Sequence, residues 1–535
     1  MLKIRNFRVP LEEDSSLEVL VAKQYRLPAP VVKRVRIVRQ AVDARRRPRI
    51  SFVYTLAVEL INEEKYVDGL AACGDIAVLE ETKLETMRPG ASPLTHPPVV
   101  VGMGPAGLLA ALTLAEAGYC PIVLERGRAV DERTRDIASF WATGQLNPDS
   151  NVQFGEGGAG TFSDGKLTTR VNDPVMDSIL AVFAANGAPE EIRYLHKPHV
   201  GTDRLRIVVK NIRQKIIALG GTVLFETTLT RLAIKDGRLT GVVLKDGQTL
   251  PCEALILATG HSARDVYQAL AAQQVAMAAK SFAVGLRIEH PQELIDQAQY
   301  GAAAGHPKLP AADYALVHHD KNSGRTAYSF CMCPGGAVMG AASELGGVVV
   351  NGMSLFARDS GVANSALVVN VDPTDCGSNL LDGMAFQRRL EALAFQSAGA
   401  NYAAPAQNVG SFCRQLTPSV ESLVSPSYRP GIASVALDTV LPRFVTDTLA
   451  SAMPAFGRKI RGFDDPLALL TGVETRTSAP VRIIRDETTR MSPSADGLYP
   501  VGEGAGYAGG IMSAACDGYH TACAIITRFS LPKRV

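Results

Sequence analysis

The chain has 535 residues, of which 46% are hydrophobic and 20% are charged, and its formal net charge is +2. This length exceeds one ordinary core and suggests about three domains. The small net charge gives no general attraction to nucleic acid or to an anionic membrane, which disfavours both as partners. No apolar run approaches the ~20 residues that cross a bilayer, and residues 1–10 lack the apolar stretch of a signal peptide. We therefore expect a cytoplasmic protein without a membrane segment.

The nine cysteines are scattered along the chain, and their odd number fits reduced thiols in a reducing compartment. The sequence contains no zinc-type CxxC pair, so we predict no metal site. It also lacks the CxxC or CxxxxC pair with which a dithiol–disulfide flavoenzyme brings two sulfurs onto neighbouring turns. This absence argues against a dithiol relay.

Residues 1–85 alternate between the patterns of strands and helices. Strand patterns cover 3–9, 32–42, 49–61 and 76–80, and helix patterns cover 16–26 and 63–73. This βαββαβ order predicts an N-terminal ferredoxin-like α+β domain over residues 1–85. The Pro-containing segment 86–97 is then a linker to the next domain.

A glycine-rich turn follows the first apolar strand of the next domain. The run PVVVGMGPAGLLAALTLAEAGYCPIVLER predicts a buried strand, a turn, a helix and a second strand ending at Glu125. Gly102 permits the tight turn, Gly104 a close approach of phosphate, and Gly107 close packing of helix on sheet. Glu125 is placed to accept hydrogen bonds from a ribose. The predicted dinucleotide-binding residues here are Gly102, Gly104, Pro105, Ala106, Gly107, Glu125 and Arg126; a glycine-rich turn without ligand is the alternative.

Two later segments favour FAD over NAD as the dinucleotide. The run ALILATG (254–260) is an apolar strand whose small final residues let the chain pass close to a nucleotide. The run LYPVGEGAGYAGGI (498–511) combines a strand, an acid that could accept hydrogen bonds from ribityl hydroxyls, and a helix start that would direct its positive end at a reduced, anionic flavin. These segments add Thr259, Gly260, Gly502, Glu503, Gly510 and Ile511 to the predicted cofactor site. They disfavour an NAD-only dehydrogenase.

Together these segments resemble the flavoprotein superfamily with two dinucleotide-binding domains. More narrowly, several motifs are similar to those of a bacterial family of FAD-dependent dehydrogenases: DARRRPRISFVYT (43–55), GEGGAGTFSDGKL (155–167), ATGHSARDVY (258–267), SFCMCPGG (329–336), GVETRTSAP (472–480) and GEGAGYAGGI (502–511). The resemblance spans nearly the whole chain. It implies bound FAD and oxidoreductase activity without fixing the substrate. The superfamily often has Asp where this chain has Glu503.

The remaining patterns divide the chain into an α/β fold of three domains. A helix over 204–220 and strands over 223–235, 238–245 and 253–258 suggest a β-meander that leads back to the first sheet. Residues 98–280 and 491–535 are predicted to form a discontinuous Rossmann-type FAD-binding domain. Residues 281–490 mix short strands, loops and helices, and we expect them to be an inserted α+β substrate or cap domain.

A second GxGxxG match, at 155–160, follows no apolar strand, so it predicts no NAD site. We expect its loop to approach the flavin or its phosphates through backbone N–H groups and nearby side chains. The residues proposed for this contact are Gly160, Thr161, Ser163 and Lys166. A glycine-rich surface loop is the alternative.

Four residues are candidates for catalysis. Cys331 and Cys333 share one face if their segment is a regular strand, and they either line the flavin pocket or fill the core. Glu474 and Arg476 also share a face if extended, and would supply an acid or base and an anion clamp; an ordinary surface ion pair is the alternative. The histidines at 261, 318 and 319 rank lower as proton carriers.

The leading hypothesis is an FAD-dependent oxidoreductase that passes hydride or electrons from a small-molecule substrate to the flavin and on to an unidentified acceptor. NAD(P)H remains open as an electron donor. The alternative is a flavoprotein with an RNA-modification or protein-binding role through its basic N-terminal domain. Residues 33–49 carry eight Lys or Arg against the single acid Asp43, but a solvated hairpin face is the favoured explanation of this stretch.

Overall fold

The computed structural model describes residues 1–45, 49–71, 74–79, 87–169 and 171–533. Three sequence predictions lie partly outside these ranges. They are the basic stretch at 46–48, the end of the second predicted helix at 72–73, and the predicted boundary between first domain and linker at 80–86.

The N-terminal region folds around a four-stranded antiparallel sheet. Its elements are β1 Leu2–Pro10, α1 Leu17–Gln24, β2 Val32–Asp43, β3 Ser51–Leu60, α2 Glu64–Ala71 and β4 Ile76–Val78. The strand order is β2-β3-β1-β4, as in a split βαββαβ sheet. A bulge between Ile4 and Phe7 shifts the alternation of β1, so that apolar side chains on both sides of it face the core.

Residues 87–280 begin with a strand–turn–helix unit and end in a small antiparallel sheet. The elements are β5 Val99–Val101, α3 Pro105–Glu116, β6 Ile122–Leu124, α4 Val130–Thr143, α5 Met176–Ala185, α6 Gly201–Ala218, β7 Thr222–Leu224, β8 Leu229–Lys235, β9 Arg238–Leu244, β10 Thr249–Pro251, β11 Leu255–Leu257, α7 Arg264–Ala272 and β12 Met277–Ala279. The single strand predicted over 223–235 is wrong. The backbone takes a positive φ of 52° at Glu226, and the chain leaves one sheet after β7 and enters another at β8.

Residues 281–533 contain a large sheet and then return to the first one. The elements are β13 Phe282–Pro291, α8 Gln292–Tyr300, β14 Val317–His319, β15 Thr326–Cys333, β16 Gly336–Gly340, β17 Val350–Ser354, β18 Val362–Val371, α9 Pro373–Cys376, α10 Asp382–Ser397, β19 Ala404–Asn408, α11 Val409–Cys413, β20 Ile432–Ser434, α12 Arg443–Lys459, β21 Leu469–Glu474, β22 Val481–Ile483, β23 Leu498–Pro500 and α13 Ile511–Arg528. The large sheet has the order β14-β15-β18-β13-β21-β19-β20 and is antiparallel except between β19 and β20.

A five-stranded parallel sheet has the order β23-β11-β5-β6-β7. The strand β23, near the C-terminus, therefore lies in the same sheet as the strands between residues 99 and 257. Leu498 of the last strand lies opposite Leu255, which in turn lies opposite Val99. Behind this sheet α3 and α13 touch backbone to backbone, since a Cβ on Gly518 would lie 2.0 Å from the carbonyl oxygen of Ala106. The chain is therefore a mixed α/β fold with parallel and antiparallel sheets. None of the helices in the described ranges is both long and apolar enough to cross a membrane.

Candidate functional site

A cavity of about 400 Å³ lies at the carboxyl ends of β5, β6, β11 and β23. Crevices at this edge of a parallel sheet are where open α/β folds bind nucleotides. Side chains from β15 and β21 of the large antiparallel sheet, and from β17 of the two-stranded β16–β17 sheet beside it, line the same space. Two structurally different walls therefore face one cavity. We call them the parallel-sheet wall and the antiparallel-sheet wall.

The turn after β5 opens the N-terminus of α3 to the cavity. Gly104 is the N-cap residue and no side chain caps the helix, so the first N–H groups are available to a ligand. Gly102 has a φ of 97°, and a Cβ there would lie 2.4 Å from the oxygen of Ala258. Gly107 lies behind the turn and does not line the cavity, because its Cα faces the oxygen of Gly102. This position agrees with the packing role predicted for Gly107.

Glu125 directly follows β6 and lines the cavity with its carboxylate already oriented. It accepts hydrogen bonds from the backbone N–H groups of Met103 at 2.8 Å, Gly127 at 2.9 Å and Gly155 at 3.0 Å. Arg126 also lines the cavity, where both carboxylate oxygens of Asp265 bind its guanidinium at 2.9 Å.

The second glycine-rich loop packs directly on the first. The N–H of Gly157 donates to the oxygen of Met103 at 2.8 Å, and a Cβ on Gly158 would lie 2.8 Å from Cα of Gly104. Much of the loop is buried, so the alternative of a surface loop is wrong. Three of the four residues proposed for cofactor contact line the cavity, namely Gly160, Ser163 and Lys166.

Thr161 does not line the cavity, which corrects the expectation for its side chain. It is 1% exposed, and its hydroxyl points back to the carbonyl oxygen of Glu156 at 3.5 Å. The reason is a short 3₁₀ turn over Ala159–Phe162, which turns this side chain away from the cavity and toward Gly157.

The segments after β11 and β23 complete the parallel-sheet wall. Thr259, Gly260, Gly502 and Glu503 line the cavity, as do Gly510 and Ile511 at the start of α13. Gly510 is the N-cap of this helix and no side chain caps it, so its first N–H groups are also available. Burial raises the pKa of the Glu503 carboxyl to about 7.

Among the predicted proton carriers, only His261 lines the cavity. Its Nε2 lies 3.7 Å from Oε1 of Glu503. Burial, with the positive charge of Arg476, lowers the pKa of His261 to about 4, so its imidazole is neutral at pH 7. His318 and His319 lie in the short edge strand β14, outside the cavity lining.

On the antiparallel-sheet wall, Glu474 and Arg476 do not pair with each other. Glu474 accepts a hydrogen bond from Nε of Arg287 at 2.9 Å, and both side chains are buried. Arg476 is bound by Glu391 at 2.9 and 3.1 Å and also donates to Ser343. The alternative of a surface ion pair is therefore wrong. Arg476 lines the cavity, but each of its three guanidinium nitrogens already donates a hydrogen bond within the protein. The expectation that Arg476 is a free anion clamp is therefore corrected.

The two cysteines of β15 do not sit on a regular strand. The register shifts between Phe330 and Cys333, and Cys331 has a φ of 43°. Cys331 lines the cavity, whereas Cys333 is fully buried beneath it. The expectation that strand alternation would bring both thiols to the cavity is corrected by this bulge.

Sequence reasoning missed two charged residues that organise the site. Arg287 is fully buried in β13 and binds Glu474; its signal was one basic residue within the apolar run FAVGLRIEH. Asp517 of α13 accepts the N–H of Gly502 at 2.7 Å and is held by Arg485 and Arg490, so it fixes the turn that carries Glu503. A helical acid without a local partner gives little signal in sequence.

Comparison with known proteins identifies the family. The chain is 48% identical to an "Uncharacterized protein" of Clostridium beijerinckii over 534 residues, which cover 99% of this chain and 100% of the relative. Residues 281–477 match the family described as "FAD-dependent protein, C-terminal domain-like", and residues 1–59 match "Domain of unknown function (DUF8436)". The chain belongs to this bacterial family of FAD-dependent proteins. The expected resemblance is confirmed, and FAD is the cofactor.

More distant similarities are partial or low. An L-aspartate oxidase of Saccharolobus solfataricus is 25% identical over 183 residues, which cover 30% of this chain and 36% of the oxidase. Among solved structures, CtdE in complex with FAD is 12% identical to this chain. The match covers 80% of this chain and 84% of the CtdE chain, with a TM-score of 0.32. L-proline dehydrogenase from P. horikoshii is 11% identical, with coverages of 80% and 93% and a TM-score of 0.35.

The cavity of this FAD-dependent protein fits the chemistry of its cofactor. FAD carries a diphosphate, two polyol segments and a ring system that becomes negatively charged on reduction. Two uncapped helix N-termini supply N–H donors for negative charge, and Glu125 and Glu503 supply acceptors for hydroxyl groups. A Cβ on Gly260, Gly509 or Gly510 would meet no atom within 4 Å, so these glycines leave open space for a ligand.

Proposed function

We propose that the protein is an FAD-dependent oxidoreductase in which a small-molecule substrate meets the flavin between the two walls. The observation that carries the proposal is that backbone donors of the parallel-sheet wall and buried ionisable side chains of the antiparallel-sheet wall line one cavity. When bound, FAD supplies the capacity to accept a hydride or electrons, which then pass to an acceptor still to be identified.

The proposal assigns the cofactor-binding roles to the parallel-sheet wall. The N-terminus of α3 with Gly104 binds the diphosphate, and Glu125 accepts hydrogen bonds from the adenosine ribose. Glu503 accepts hydrogen bonds from the ribityl chain, its longer side chain serving where related proteins often have Asp. The N-terminus of α13 stabilises negative charge on the reduced ring through its dipole and free N–H groups.

The same proposal assigns domains. Residues 98–280 and 491–535 form a Rossmann-type FAD-binding domain, which the pairing of β23 with β11 supports. Residues 281–490 form the substrate domain, and residues 1–85 form a ferredoxin-like domain, which the strand order β2-β3-β1-β4 supports. Residues 86–97 link the first two domains.

On the antiparallel-sheet wall, Glu474 is the side chain best placed to exchange a proton with the substrate. Burial raises the pKa of its carboxyl, while the neighbouring charge of Arg287 opposes that shift. Glu474 reaches the cavity lining, and Arg287 fixes its orientation at 2.9 Å. Arg476 acts in the same wall as a positioning residue, since it holds Glu391 beneath the cavity.

The experiment that tests this function is an anaerobic substrate screen on the yellow protein. A small molecule that bleaches the flavin band, with Glu474→Gln lowering the rate at least ~100-fold at unchanged FAD content, is the expected result. Flavin that no candidate substrate reduces, although dithionite reduces it readily, would contradict the proposal.

A role of the N-terminal region in RNA or protein binding has weaker support. Within the described part of the basic stretch, Lys33 is paired with Glu59 and Arg45 with Asp43. A shift of total cellular RNA in electrophoresis that weakens steeply with salt would favour this alternative.

A further inference from the structure

Cys331 lines the cavity, and the thiol of Cys333 beneath it donates a hydrogen bond to the carbonyl oxygen of Cys331. In a regular strand, residues two apart are separated by about 6.6 Å and their side chains stand side by side. Here the bulge and the positive φ of Cys331 fold the strand inward, so that the Cys333 sulfur lies 3.3 Å from the carbonyl oxygen of Cys331. The bulge therefore folds the Cys333 side chain back against Cys331 without a CxxC motif.

Fixed positive charge lies beside this thiol pair. Arg287, which is fully buried, donates to the carbonyl oxygen of Cys331 and lies 3.9 Å from the Cys333 sulfur. The side chain of Lys166 hydrogen-bonds to the carbonyl of Met332, between the two cysteines. A thiolate formed here is stabilised by cations held in place by the fold.

Cys331 differs from other thiols of the chain in its protonation. Its interaction with the Cys333 side chain lowers the pKa of Cys331, against the effect of burial, and the charges of Arg287 and Lys166 contribute. The same interaction raises the pKa of Cys333. By contrast, burial raises the pKa of Cys252 to about 12. The pair is therefore expected to lose its first proton from Cys331, which lines the cavity, while Cys333 beneath it keeps its thiol.

We propose that Cys331 and Cys333 form a dithiol–disulfide couple that exchanges an electron pair with the FAD bound in the same cavity. The inference rests on the proposed function only in taking FAD to occupy this cavity. On oxidation one S–S bond forms between the two sulfurs and both thiol protons are released, that of Cys331 before that of Cys333. The two electrons pass to oxidised flavin, which is thereby reduced. In the reverse direction, reduced flavin supplies two electrons that break the S–S bond.

The position of the pair supports electron exchange with the flavin. Cys331 lines the cavity together with Glu503, and the negative charge of a Cys331 thiolate contributes to the raised pKa of Glu503. Cys331 is thus close to Glu503, which the proposed function assigns to the ribityl chain next to the flavin ring. The absence of a CxxC motif, which argues against a dithiol relay in sequence, is compensated by the bulge.

The test is the number of electrons that the oxidised holoprotein takes up. Protein oxidised with ferricyanide and desalted is titrated anaerobically with dithionite, and the mass of the peptide containing residues 331 and 333 is measured before and after. The couple predicts four electrons per FAD in the wild type, and a peptide lighter by two hydrogens before titration. Cys331→Ser and Cys333→Ser should each take up two electrons, whereas the control Cys413→Ser, at an exposed thiol, should keep four.

Uptake of two electrons by the wild type, with both thiols intact after oxidation, would overturn the couple. That result would leave the proposed function standing if a substrate still bleaches the flavin. Conversely, four electrons in the wild type and two in the variants support the couple even if no substrate is found. Because a serine could disturb the Arg287 pocket, Cys331→Ala and Cys333→Ala serve as second variants. The peptide mass of the wild type tests for the disulfide without any substitution.

Discussion

The parallel-sheet and antiparallel-sheet walls face the same cavity but are built from different groups. The first presents mainly backbone, with glycine turns and the N-termini of α3 and α13. The second presents side chains, with Glu474 held by Arg287 and Arg476 held by Glu391. Backbone donors suit a diphosphate, which every dinucleotide shares, whereas buried ionisable groups suit a particular reaction. We therefore expect substitutions on the parallel-sheet wall to change the retention of FAD, and substitutions on the antiparallel-sheet wall to change reactivity.

The largest effect is expected on the antiparallel-sheet wall, from Arg476→Ala. It leaves the carboxylate of Glu391 buried with one cation fewer, so the free energy of unfolding should fall by ~3–5 kcal/mol. The matched control is Arg388→Ala, because Arg388 binds Glu344 while 36% of its side chain is exposed, and should cost no more than ~1 kcal/mol. Urea unfolding measures both. Equal losses of unfolding free energy in the two variants would contradict the structural role of Arg476 in the buried ion pair with Glu391.

The next effect is expected on the parallel-sheet wall, from Gly104→Val. The branched side chain projects from the N-cap of α3 into the space assigned to the diphosphate, so FAD affinity should fall at least ~100-fold, about 2.7 kcal/mol. Flavin content of the purified protein and a fluorescence titration of the apoprotein give the measurement. Gly104→Ala should be milder, since its Cβ meets only Cα of Gly158 at 3.8 Å. A Gly104→Val variant that keeps a full complement of FAD would contradict the assignment of the diphosphate to the N-terminus of α3.

A pH dependence should follow from Glu503. Its pKa is about 7 in the folded protein and near 4.5 when unfolded, so the protonated carboxyl adds stability below pH ~4.5 that is lost as pH rises through about 7. Because about 30% of the side chain is open to the cavity, we expect on the order of 1–2 kcal/mol. Glu503→Gln should flatten the apoprotein's stability between pH 5 and 8, whereas Glu487→Gln, at an exposed position, should not. Parallel profiles for wild type and Glu503→Gln would contradict the assignment.

The smallest effect is expected for Thr161→Val. Its hydroxyl faces away from the cavity, so FAD affinity should change by less than about twofold. Ser163→Ala, in the same loop, should weaken FAD binding several-fold, because its hydroxyl bridges the carbonyl of Gly160 and the N–H of Gly165 at the cavity. A larger loss for Thr161→Val than for Ser163→Ala would reverse the described orientation of the loop.

Most of the parallel-sheet wall could be predicted from the sequence. Its determinants are local: a strand, the glycines around Gly104 and an acid at the end of the next strand recur at similar spacing in chains that bind a dinucleotide through a βαβ unit of the Rossmann type. The N-terminal elements were also predictable, because their apolar residues alternate with the periods of strands and helices.

The antiparallel-sheet wall could be predicted only in part. Cys331 and Glu474 were candidates on local pattern, but their partner Arg287 lies in another strand, and no local rule connects them. The bulge at Cys331 depends on pairing with β18, which the sequence around it does not encode. Arg476 was assigned to a substrate because Glu391, on α10, was not visible as its partner.

A crystal structure of the protein reconstituted with FAD tests the central claim most directly. The account predicts the diphosphate at the N-terminus of α3, the adenosine ribose on Glu125, and the flavin ring within about 4 Å of side chains of the antiparallel-sheet wall, Cys331 among them. A ring that lies outside this cavity, or a cofactor that runs in the opposite direction with its adenosine at Glu503, would contradict it.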